Sequence, residues 1–285
     1  QRFAAFSSDI CFSRLSDIIF RLFPNVPISL LSPASYLTLK FICDIVFFFL
    51  DENQCFAGAN NAGINRAKEY SPSYIMLLNN DTRVEEDTLE ILVSRMNISS
   101  KTVVAPKILY MDNPDKVWSA GGSIDDKLKI PVNVGAGSND DGSFDTEREC
   151  FFLSFCAVII PAEVFSEGVG MLDESYYMYS EDVDYCVRLQ RAGYSLLYIP
   201  EARIFHKGGA SGVSDGSDSL YYSVRNECIL RDKYMKGGKA FNEQLLANQK
   251  YKYYAKKVAG RDCSNNRKMI EAIEAWKQGE RGKRG

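Results

Sequence analysis

Continuous runs of hydrophobic residues alternate with amphipathic stretches through the first half of the chain. Apolar runs at Val46–Leu50, Tyr74–Leu78 and Thr102–Tyr110 have the length and composition of buried strands. Between them, residues 56–70 and 84–96 have helical spacing of their hydrophobic positions. This β-α-β-α-β alternation predicts an α/β fold with a doubly wound, mostly parallel sheet flanked by helices.

Shorter elements are predicted in the remaining segments. The expected strands are Val117–Ser119, Leu128–Val134, Phe151–Ile160, and Ser195–Ile199, which Pro200 closes. The expected helices are Ser13–Phe23, Glu163–Val169, Glu181–Ala192, and further helices from Tyr221 onward. The Gly-, Asp- and Asn-rich residues 111–150 indicate a hairpin excursion that forms one wall of a site.

Charge is distributed unevenly along the 285 residues. The net charge is only -3, yet residues 231–285 carry 15 Lys and Arg against 6 Asp and Glu, and residues 1–230 carry 19 against 31. This asymmetry predicts an acidic α/β domain over residues 1–230 and a basic helical C-terminal extension over residues 231–285. A solvated terminal helix and a surface that binds anions are both consistent with the extension.

The cysteines and the hydropathy favour a cytoplasmic protein. Eight cysteines are scattered without a CxxC pair, which is typical of reduced thiols and not of a disulfide scaffold or a zinc site. The most apolar run, Phe41–Leu50, is ten residues long and contains Asp44, so it is too short to span a bilayer.

Asp81 is the first candidate for chemistry, because it follows the buried strand Tyr74–Leu78 directly. The carboxyl ends of strands are where open α/β sheets bind their ligands. A carboxylate there can hold Mg²⁺ or Mn²⁺ against the oxygens of a diphosphate. The spacing alone is equally consistent with Asn80, Asp81 and Thr82 forming a capped turn into the next helix.

Three acids, Glu181, Asp182 and Asp184, crowd the predicted start of a helix. The helix dipole favours their ionised form there, so we expect proton acceptors at neutral pH. Ordinary N-terminal helix charge with Ser180 as the cap remains the alternative. The aromatic residues and the Met of the preceding segment 176–179 would form an apolar lip suited to a sugar ring.

His206 and Arg225 are the basic candidates. His206 is the single histidine of the chain, and we expect it on a loop beside glycines, with a structural and a ligand role both open. Arg225, on a predicted helix, could bind a phosphate through both guanidinium nitrogens or form a surface ion pair.

Taken together, the motifs resemble family 2 glycosyltransferases of the rhamnosyltransferase-like and galactofuranosyltransferase-like branch. The matching segments occur in the family's order over roughly residues 51–235. They are Glu52–Ile64, Leu77–Thr82, Val117–Gly122, Gly170–Asp184, Gly193–Pro200, His206 and Tyr221–Asn226.

The resemblance implies a GT-A fold and an inverting, metal-dependent sugar transfer. Asp81 and His206 resemble the ligands of an Mg²⁺ or Mn²⁺ ion, and Asp182, with Glu181 beside it, resembles the catalytic base. The donor would be a dTDP- or UDP-linked sugar, rhamnose-like or galactofuranose-like, and the acceptor a polysaccharide or a lipid-linked glycan. The residues that the resemblance assigns to donor binding are Asn53, Asn60, Asn80, Asp81 and Arg225.

Residues 1–50 depart from the family pattern. Its first strand and its nucleotide-binding Asp-Asn-x-Ser stretch are not recognisable, and Ser32–Ser35 falls where that stretch belongs. We therefore expect this part to be degenerate or truncated, and a catalytically impaired homologue acting as a binding or scaffold subunit is the second hypothesis. Phe155 stands where the family usually has Gly, which predicts a ring near the acceptor site.

Other ligand classes are less consistent with the residues. No GxGxxG motif follows a first strand, which argues against a dinucleotide cofactor. The basic extension also contains Tyr251, Tyr253, Tyr254 and Trp276. We therefore expect peripheral contact with anionic lipid at the inner face of the membrane and no nucleic-acid partner.

Overall fold

The computed structural model describes residues 3–6, 16–18, 48–50, 53–96, 100–166, 168–207 and 216–284. Its centre is an eight-stranded mixed sheet. The main path of that sheet runs β1 (Phe3–Phe6), β4 (Tyr74–Leu78), β11 (Ala157–Pro161), β6 (Thr102–Tyr110), β12 (Ser195–His206) and β10 (Arg148–Glu149). Off this path, β5 (Thr82–Val84) pairs with β12, and β7 (Val117–Ser119) pairs with β6.

Parallel strands converge on one edge of this sheet. β1 is parallel to β4, β12 is parallel to β6, and β11 lies antiparallel between β4 and β6. Ala157, the first residue of β11, therefore pairs with Leu78, the last residue of β4. The carboxyl ends of β4, β6 and β12 and the beginning of β11 consequently share an edge, where the polar motifs gather.

Helices cover both faces of the sheet. Ile75 and Leu77 of β4 point into a large core, while Met76 between them points into a smaller core on the opposite face. The period-two alternation of a strand explains this division. The α-helices within the described ranges are α1 (Cys55–Lys68), α2 (Thr88–Met96), α3 (Glu181–Arg191), α4 (Gly216–Tyr234), α5 (Gly238–Val258) and α6 (Ser264–Lys277). The predicted α/β class with flanking helices is confirmed.

Two further two-stranded sheets occur within the described residues. β8 (Gly122–Asp125) pairs with β9 (Ile130–Asn133), as the predicted excursion requires. β2 (Ser16–Ile18) pairs with β3 (Phe48–Leu50). The helix expected over Ser13–Phe23 is wrong where the structure describes it, because three of its residues are in a strand. Ser32–Ser35 lies outside the described residues.

The first strand, which the sequence does not reveal, is present. Phe3–Phe6 pairs in parallel with β4, residue by residue, from Phe3 opposite Tyr74 to Phe6 opposite Leu77. The expectation that residues 1–50 lack this strand is therefore wrong. Four residues give too short a hydrophobic run to recognise, and the strand forms because β4 offers it an unpaired edge.

The helix predicted over Val84–Met96 begins later, at Thr88. Val84 is drawn into the sheet because it pairs with Ile204 of β12. Thr88 marks the start of the helix, since its backbone amide donates to Glu85 and its hydroxyl donates to the carbonyl of Arg203 at 2.7 Å.

β12 continues past Pro200, where the sequence predicts its end. The register with β6 shifts between Ile199 and Arg203 and then resumes to His206 opposite Tyr110. Proline has no amide to donate, and an irregularity in the ladder is where a strand tolerates it. His206 is thus the last residue of a strand and does not lie on a glycine-rich loop.

The C-terminal helices are joined to the α/β part. The boundary expected at residue 230 falls inside α4, and Leu246 of α5 and Trp276 of α6 belong to the main core. The chain after α6 returns to the segment that precedes α3, because the Gly282 amide donates to the Ser175 carbonyl at 2.6 Å. None of the helices in the described ranges is long and apolar enough to cross a membrane.

Candidate functional site

Asp81 sits in a turn that hydrogen bonds fix to the sheet edge. The Thr82 hydroxyl donates to the Asn79 carbonyl at 2.6 Å, and the Asn79 amide donates to Cys156 at 2.9 Å. The Lys207 amide donates to the Asp81 carbonyl at 3.0 Å. Because Thr82 pairs with His206 across β5 and β12, Asp81 is brought beside the single histidine.

The Asp81 and His206 side chains face each other. His206 Nε2 lies 3.0 Å from Asp81 Oδ1, and the side chains are 9% and 15% exposed. The Trp118 ring meets the imidazole edge-on, with the ring centroids 4.8 Å apart, and limits its orientation. Within the described residues, Asp81 Oδ1 has no hydrogen-bond partner besides this contact with His206, and His206 Nδ1 has none.

This pair fits a divalent cation. Two adjacent ligands of an octahedral ion, each at about 2.1 Å, lie about 3.0 Å apart, which matches the separation of Oδ1 and Nε2. A buried carboxylate oxygen whose nearest polar neighbour is an imidazole nitrogen is the kind of atom that a metal ion can satisfy together with that nitrogen. The described residues contain no group of three or more acids, His and Cys around one point, so further ligands would have to be water or substrate phosphate, as Mg²⁺ prefers.

Asp182 is the second residue of α3. It lies beside the short stretch of backbone that also holds the Asp81 turn. Its Oδ1 accepts the Val183 amide at 2.8 Å, and its carboxylate also faces the amide of Phe155. Phe155 adjoins Cys156, whose carbonyl holds the Asp81 turn through Asn79. The two acids therefore flank one short stretch of backbone at the sheet edge.

Burial controls the ionisation of Asp182. Loss of hydration raises the pKa of this carboxyl to about 6, and the backbone amides of Val183 and Phe155 offset only part of the rise. The pKa is therefore raised, whereas the helix dipole alone favours the ionised form, yet the carboxyl remains mostly ionised at neutral pH as the sequence predicted. A carboxyl with a pKa near neutrality is better matched to proton transfer than an ordinary aspartate.

The segment before α3 adopts a costly backbone conformation. Tyr177, Tyr179 and Ser180 have φ values of 65°, 68° and 72°, in the left-handed region that non-glycine residues avoid. Ser180 precedes the helix but makes no side-chain capping hydrogen bond. The interpretation of this acidic cluster as an ordinary capped helix start is therefore not supported, and strain of this kind persists only where surrounding contacts enforce it.

Arg225 and Asn226 provide those contacts. Asn226 Nδ2 lies within hydrogen-bond distance of the carbonyls of Tyr176, Met178 and Tyr179, at 2.9, 2.6 and 2.8 Å. Arg225 is 1% exposed, and its guanidinium donates to the Tyr176 carbonyl at 2.9 Å and to the Gly282 carbonyl at 2.7 Å. Arg225 therefore supports the Asp182 loop, and its burial is inconsistent with the surface ion pair considered from the sequence.

Asp184 is the structural acid of the cluster. It is fully buried and ion-paired with Arg188 at 2.9 Å and with Lys233 at 2.6 Å. Burial alone would raise its pKa, but the hydrogen bonds from Lys233 and Tyr234 hold it below the usual range. Glu181, beside Asp182, is buried.

The predicted donor-binding asparagines lie in different environments. Asn53 and Asn80 are exposed, and Asn53 Oδ1 accepts the Cys55 amide at 2.8 Å ahead of α1. Asn60 is buried, and its Nδ2 donates to the Phe56 carbonyl within α1 at 2.9 Å. Asn53 and Asn80 are open to a ligand, whereas Asn60 faces the interior.

Sequence reasoning missed Asn61. Its amide nitrogen donates to the Leu172 carbonyl at 3.0 Å and to Glu174 Oε1 at 2.7 Å, and its Oδ1 accepts the Leu172 amide at 3.0 Å. It therefore ties α1 to the segment that leads into the Asp182 loop. The available signal was a polar residue on the same face of α1 as the hydrophobic residues Ala57 and Ile64.

Phe155 does not place its ring in the site. The side chain is buried in the main core, where its ring meets that of Tyr185 edge-on with centroids 5.7 Å apart. The predicted ring near the acceptor position is therefore wrong, because the backbone of residue 155, and not its side chain, faces Asp182.

A family model and several named relatives match this chain. The family model described as glycosyl transferase family group 2 matches residues 74–260. The chain is 36% identical over 90 residues to an N-acetylglucosaminyl-diphospho-decaprenol L-rhamnosyltransferase of Mycobacterium tuberculosis, covering 31% of this chain and 29% of the relative. It is 24% identical to the dTDP-rhamnosyl transferase RfbF of Shigella flexneri, covering 65% of this chain and 62% of the relative.

Two further similarities are more distant. A hexosyltransferase of low-salt glycan biosynthesis from Haloferax volcanii, Agl10, is 22% identical over 52% of this chain and 47% of its own length. Among solved structures, GalNAc-T7 with UDP, GalNAc and Mn²⁺ is similar with a TM-score of 0.47 at 15% identity, over 63% of this chain and 35% of that one. The chain spans less than two thirds of each of these proteins. Since the family model matches well over half of the chain, this protein belongs to glycosyl transferase family group 2.

Proposed function

We propose that this chain is an inverting glycosyltransferase that moves a sugar from a nucleoside-diphosphate donor to a hydroxyl of a glycan or lipid-linked acceptor. The observation that carries the proposal is the pairing of Asp81 with His206 at the edge of the sheet where Asp182 also lies. Cation ligands and a proton acceptor at one edge are the two requirements of such a transfer.

Asp182 acts as the base in this proposal. It takes the proton of the acceptor hydroxyl while the hydroxyl oxygen attacks the anomeric carbon, and the bond from that carbon to the diphosphate oxygen breaks. The nucleoside diphosphate leaves with the bonding electrons. One attack from the face opposite the leaving group inverts the configuration. The pKa of about 6 leaves Asp182 mostly ionised at pH 7 and still basic enough to accept a proton.

Asp81 and His206 would hold an Mg²⁺ or Mn²⁺ ion. When bound, such an ion offsets charge on the diphosphate group. Asp81 Oδ1 is suited to this role because it is buried and, within the described structure, contacts no donor besides His206 Nε2. Trp118 keeps the imidazole turned toward Asp81. Asn53 and Asn80 contribute to donor binding, and Asn60 and Arg225 support the site from within.

The donor and acceptor classes follow from the named relatives. The relatives from M. tuberculosis and S. flexneri are named for rhamnosyl transfer, and the former also for a diphospho-decaprenol. We therefore propose a rhamnose-like sugar on dTDP, with a UDP-linked galactofuranose-like sugar as the second donor. A polysaccharide or lipid-linked glycan of the cell surface is the acceptor. We place the reaction in the cytoplasm, in keeping with six free cysteines within the described ranges.

The proposal is tested by nucleoside-diphosphate release. The full chain is incubated with dTDP-rhamnose or a UDP-sugar, a lipid-linked N-acetylglucosamine acceptor and Mn²⁺, and the released diphosphate is measured with and without EDTA. We expect release that requires the cation and falls at least about 100-fold in Asp182→Asn. The control is Asp87→Asn, which removes an exposed carboxylate in the turn before α2. Full activity in Asp182→Asn would show that another group is the base.

A non-catalytic homologue is the alternative, and it rested on the missing carboxylate at Ser32–Ser35, outside the described residues. Calorimetry with dTDP and UDP in the presence of Mn²⁺ separates the two functions. Cation-dependent binding of either nucleotide favours the enzyme. No binding of either nucleotide, together with no release from any donor, favours a scaffold.

A further inference from the structure

Exposed hydrophobic side chains concentrate on one helix. Tyr251, Tyr254 and Val258 of α5 are 76%, 62% and 89% exposed. The other large hydrophobic residues that are exposed in the described ranges, Tyr70, Leu128 and Tyr179, are each less exposed and lie on separate elements. Scattered residues of this kind are normal, whereas a cluster requires an explanation.

The three residues form a single stripe along α5. Their spacing of three and four residues places them on one face of a helix. The α6 side of the helix carries Leu246 and Gln249, which are buried, and Gln249 Oε1 accepts Asn266 Nδ2 of α6 at 2.8 Å. At 100° per residue, the face of Tyr251, Tyr254 and Val258 therefore points away from the protein. We call these three residues the α5 stripe.

Basic residues flank the α5 stripe. Residues 250–261 contain four Lys and one Arg and no Asp or Glu. At about 100° per residue, Lys250 and Lys257 lie along one border, Lys252 lies about 100° from Tyr251 on the other side, and Lys256 lies near the opposite face. An apolar line with basic flanks is the pattern of a helix that lies in a membrane interface, with tyrosines at headgroup depth and lysines reaching the phosphates.

We propose that the α5 stripe docks on the surface of an anionic lipid bilayer. Charge complementarity favours anionic headgroups, because all five charges of residues 250–261 are positive. The nearly fully exposed Val258 favours a bilayer over a nucleic acid, since an aliphatic side chain gains nothing from phosphate. Trp276, expected from the sequence to join this contact, is only 5% exposed in the core and takes no part. The inference does not depend on the proposed sugar transfer.

Vesicle co-sedimentation of the full chain tests the proposal. We expect binding to vesicles of phosphatidylcholine with phosphatidylserine, weak binding to phosphatidylcholine alone, and loss of binding as salt rises. The variant Tyr251→Ser/Tyr254→Ser/Val258→Ser should bind anionic vesicles about tenfold or more weakly. Lys252→Glu/Lys257→Glu should weaken the binding similarly and remove its dependence on phosphatidylserine.

The hairpin between β8 and β9 supplies a matched control. Lys127→Glu/Leu128→Ser changes one exposed lysine and one exposed aliphatic residue there and should bind vesicles like the parent. Thermal unfolding verifies that every variant is folded. No vesicle binding by the parent, or equal binding by the triple serine variant, would overturn the proposal. Tight binding of single-stranded nucleic acid that abolishes vesicle binding would also overturn the proposal, if the triple serine variant still bound both the nucleic acid and the vesicles. Diphosphate release from a water-soluble donor is measured separately, so a failure of the sugar transfer would not affect the interpretation of vesicle binding.

Discussion

His206 Nε2 lies 3.0 Å from Asp81 Oδ1 because two strands of opposite direction end side by side. β12 ends at His206, and β5 begins at Thr82, directly across from it. The distance is therefore set by a backbone register and not by a flexible loop. A pair positioned by a sheet needs little reorganisation when a cation binds.

Removing either member of this pair should weaken cation binding. We expect Asp81→Asn and His206→Ala each to raise the Kd for Mn²⁺ in the presence of dTDP or UDP by about 10–100-fold, because each deletes one of two protein ligands. Titration followed by electron paramagnetic resonance of free Mn²⁺ measures this directly. Asp87→Asn, with its exposed carboxylate, is the control. Unchanged Mn²⁺ affinity in both variants would remove the cation site from this edge.

Activity should rise with pH through the ionisation of Asp182. The pKa of this carboxyl is raised to about 6 by burial, and the ionised form is the one that accepts a proton. We therefore expect kcat/KM to fall about tenfold per pH unit well below pH 6 and to level off above about pH 7. A profile that stays flat down to pH 4.5 would contradict the assignment of Asp182 as the base.

The sequence predicted β4 and β6 to the residue, because each is a continuous apolar run buried on both faces. It predicted Asp81, His206 and Asp182 as candidates, since polar residues after buried strands and before helices are conspicuous. It ended β12 at Pro200, because a proline usually ends a strand. The irregularity that tolerates Pro200 depends on the register with β6, which no local pattern reveals.

Residues whose roles depend on distant backbone could not be assigned. Arg225 bonds to the carbonyls of Tyr176 and Gly282, and carbonyl groups leave no mark in a sequence. The raised pKa of Asp182 could not be predicted for the same reason. The helix dipole is a local property, whereas burial comes from tertiary packing. Local reasoning therefore identified the candidate groups and missed the contacts that hold them.

Asn226→Ala should loosen the loop that precedes Asp182. The substitution removes the donor that contacts three carbonyls, those of Tyr176, Met178 and Tyr179, and leaves a strained segment less supported. We expect a loss of about 2–4 kcal/mol in the free energy of unfolding in urea. Asn265→Ala, at an exposed position at the start of α6, should change it by less than about 0.5 kcal/mol.

Asn226→Ala should lower catalysis as well as stability. The folded fraction of this variant should show a lower kcat with a nearly unchanged KM for the donor, because the base is displaced while the Asp81 pair is intact. A variant with unchanged kcat would show that the loop keeps its conformation without Asn226.

Asp182→Asn and Asp184→Asn should shift stability in opposite directions. Burial raises the pKa of Asp182 from 3.8 to about 6, so the folded state resists its ionisation. The stability that the protonated form provides is complete below about pH 4 and is lost as pH rises through 6. At pH 8, Asp182→Asn should therefore stabilise the protein, by no more than about 3 kcal/mol, and this gain should shrink toward pH 5.

Asp184 has a lowered pKa and buried ionic partners, so the sign reverses. Asp184→Asn removes the charge that compensates Lys233 and Arg188 and should cost about 3 kcal/mol at pH 8. Urea unfolding of both variants at pH 5 and pH 8 checks the pair. If Asp182→Asn destabilised the protein at pH 8 as much as Asp184→Asn, Asp182 would be a second structural acid, and the case for its role as a base would lose its electrostatic support.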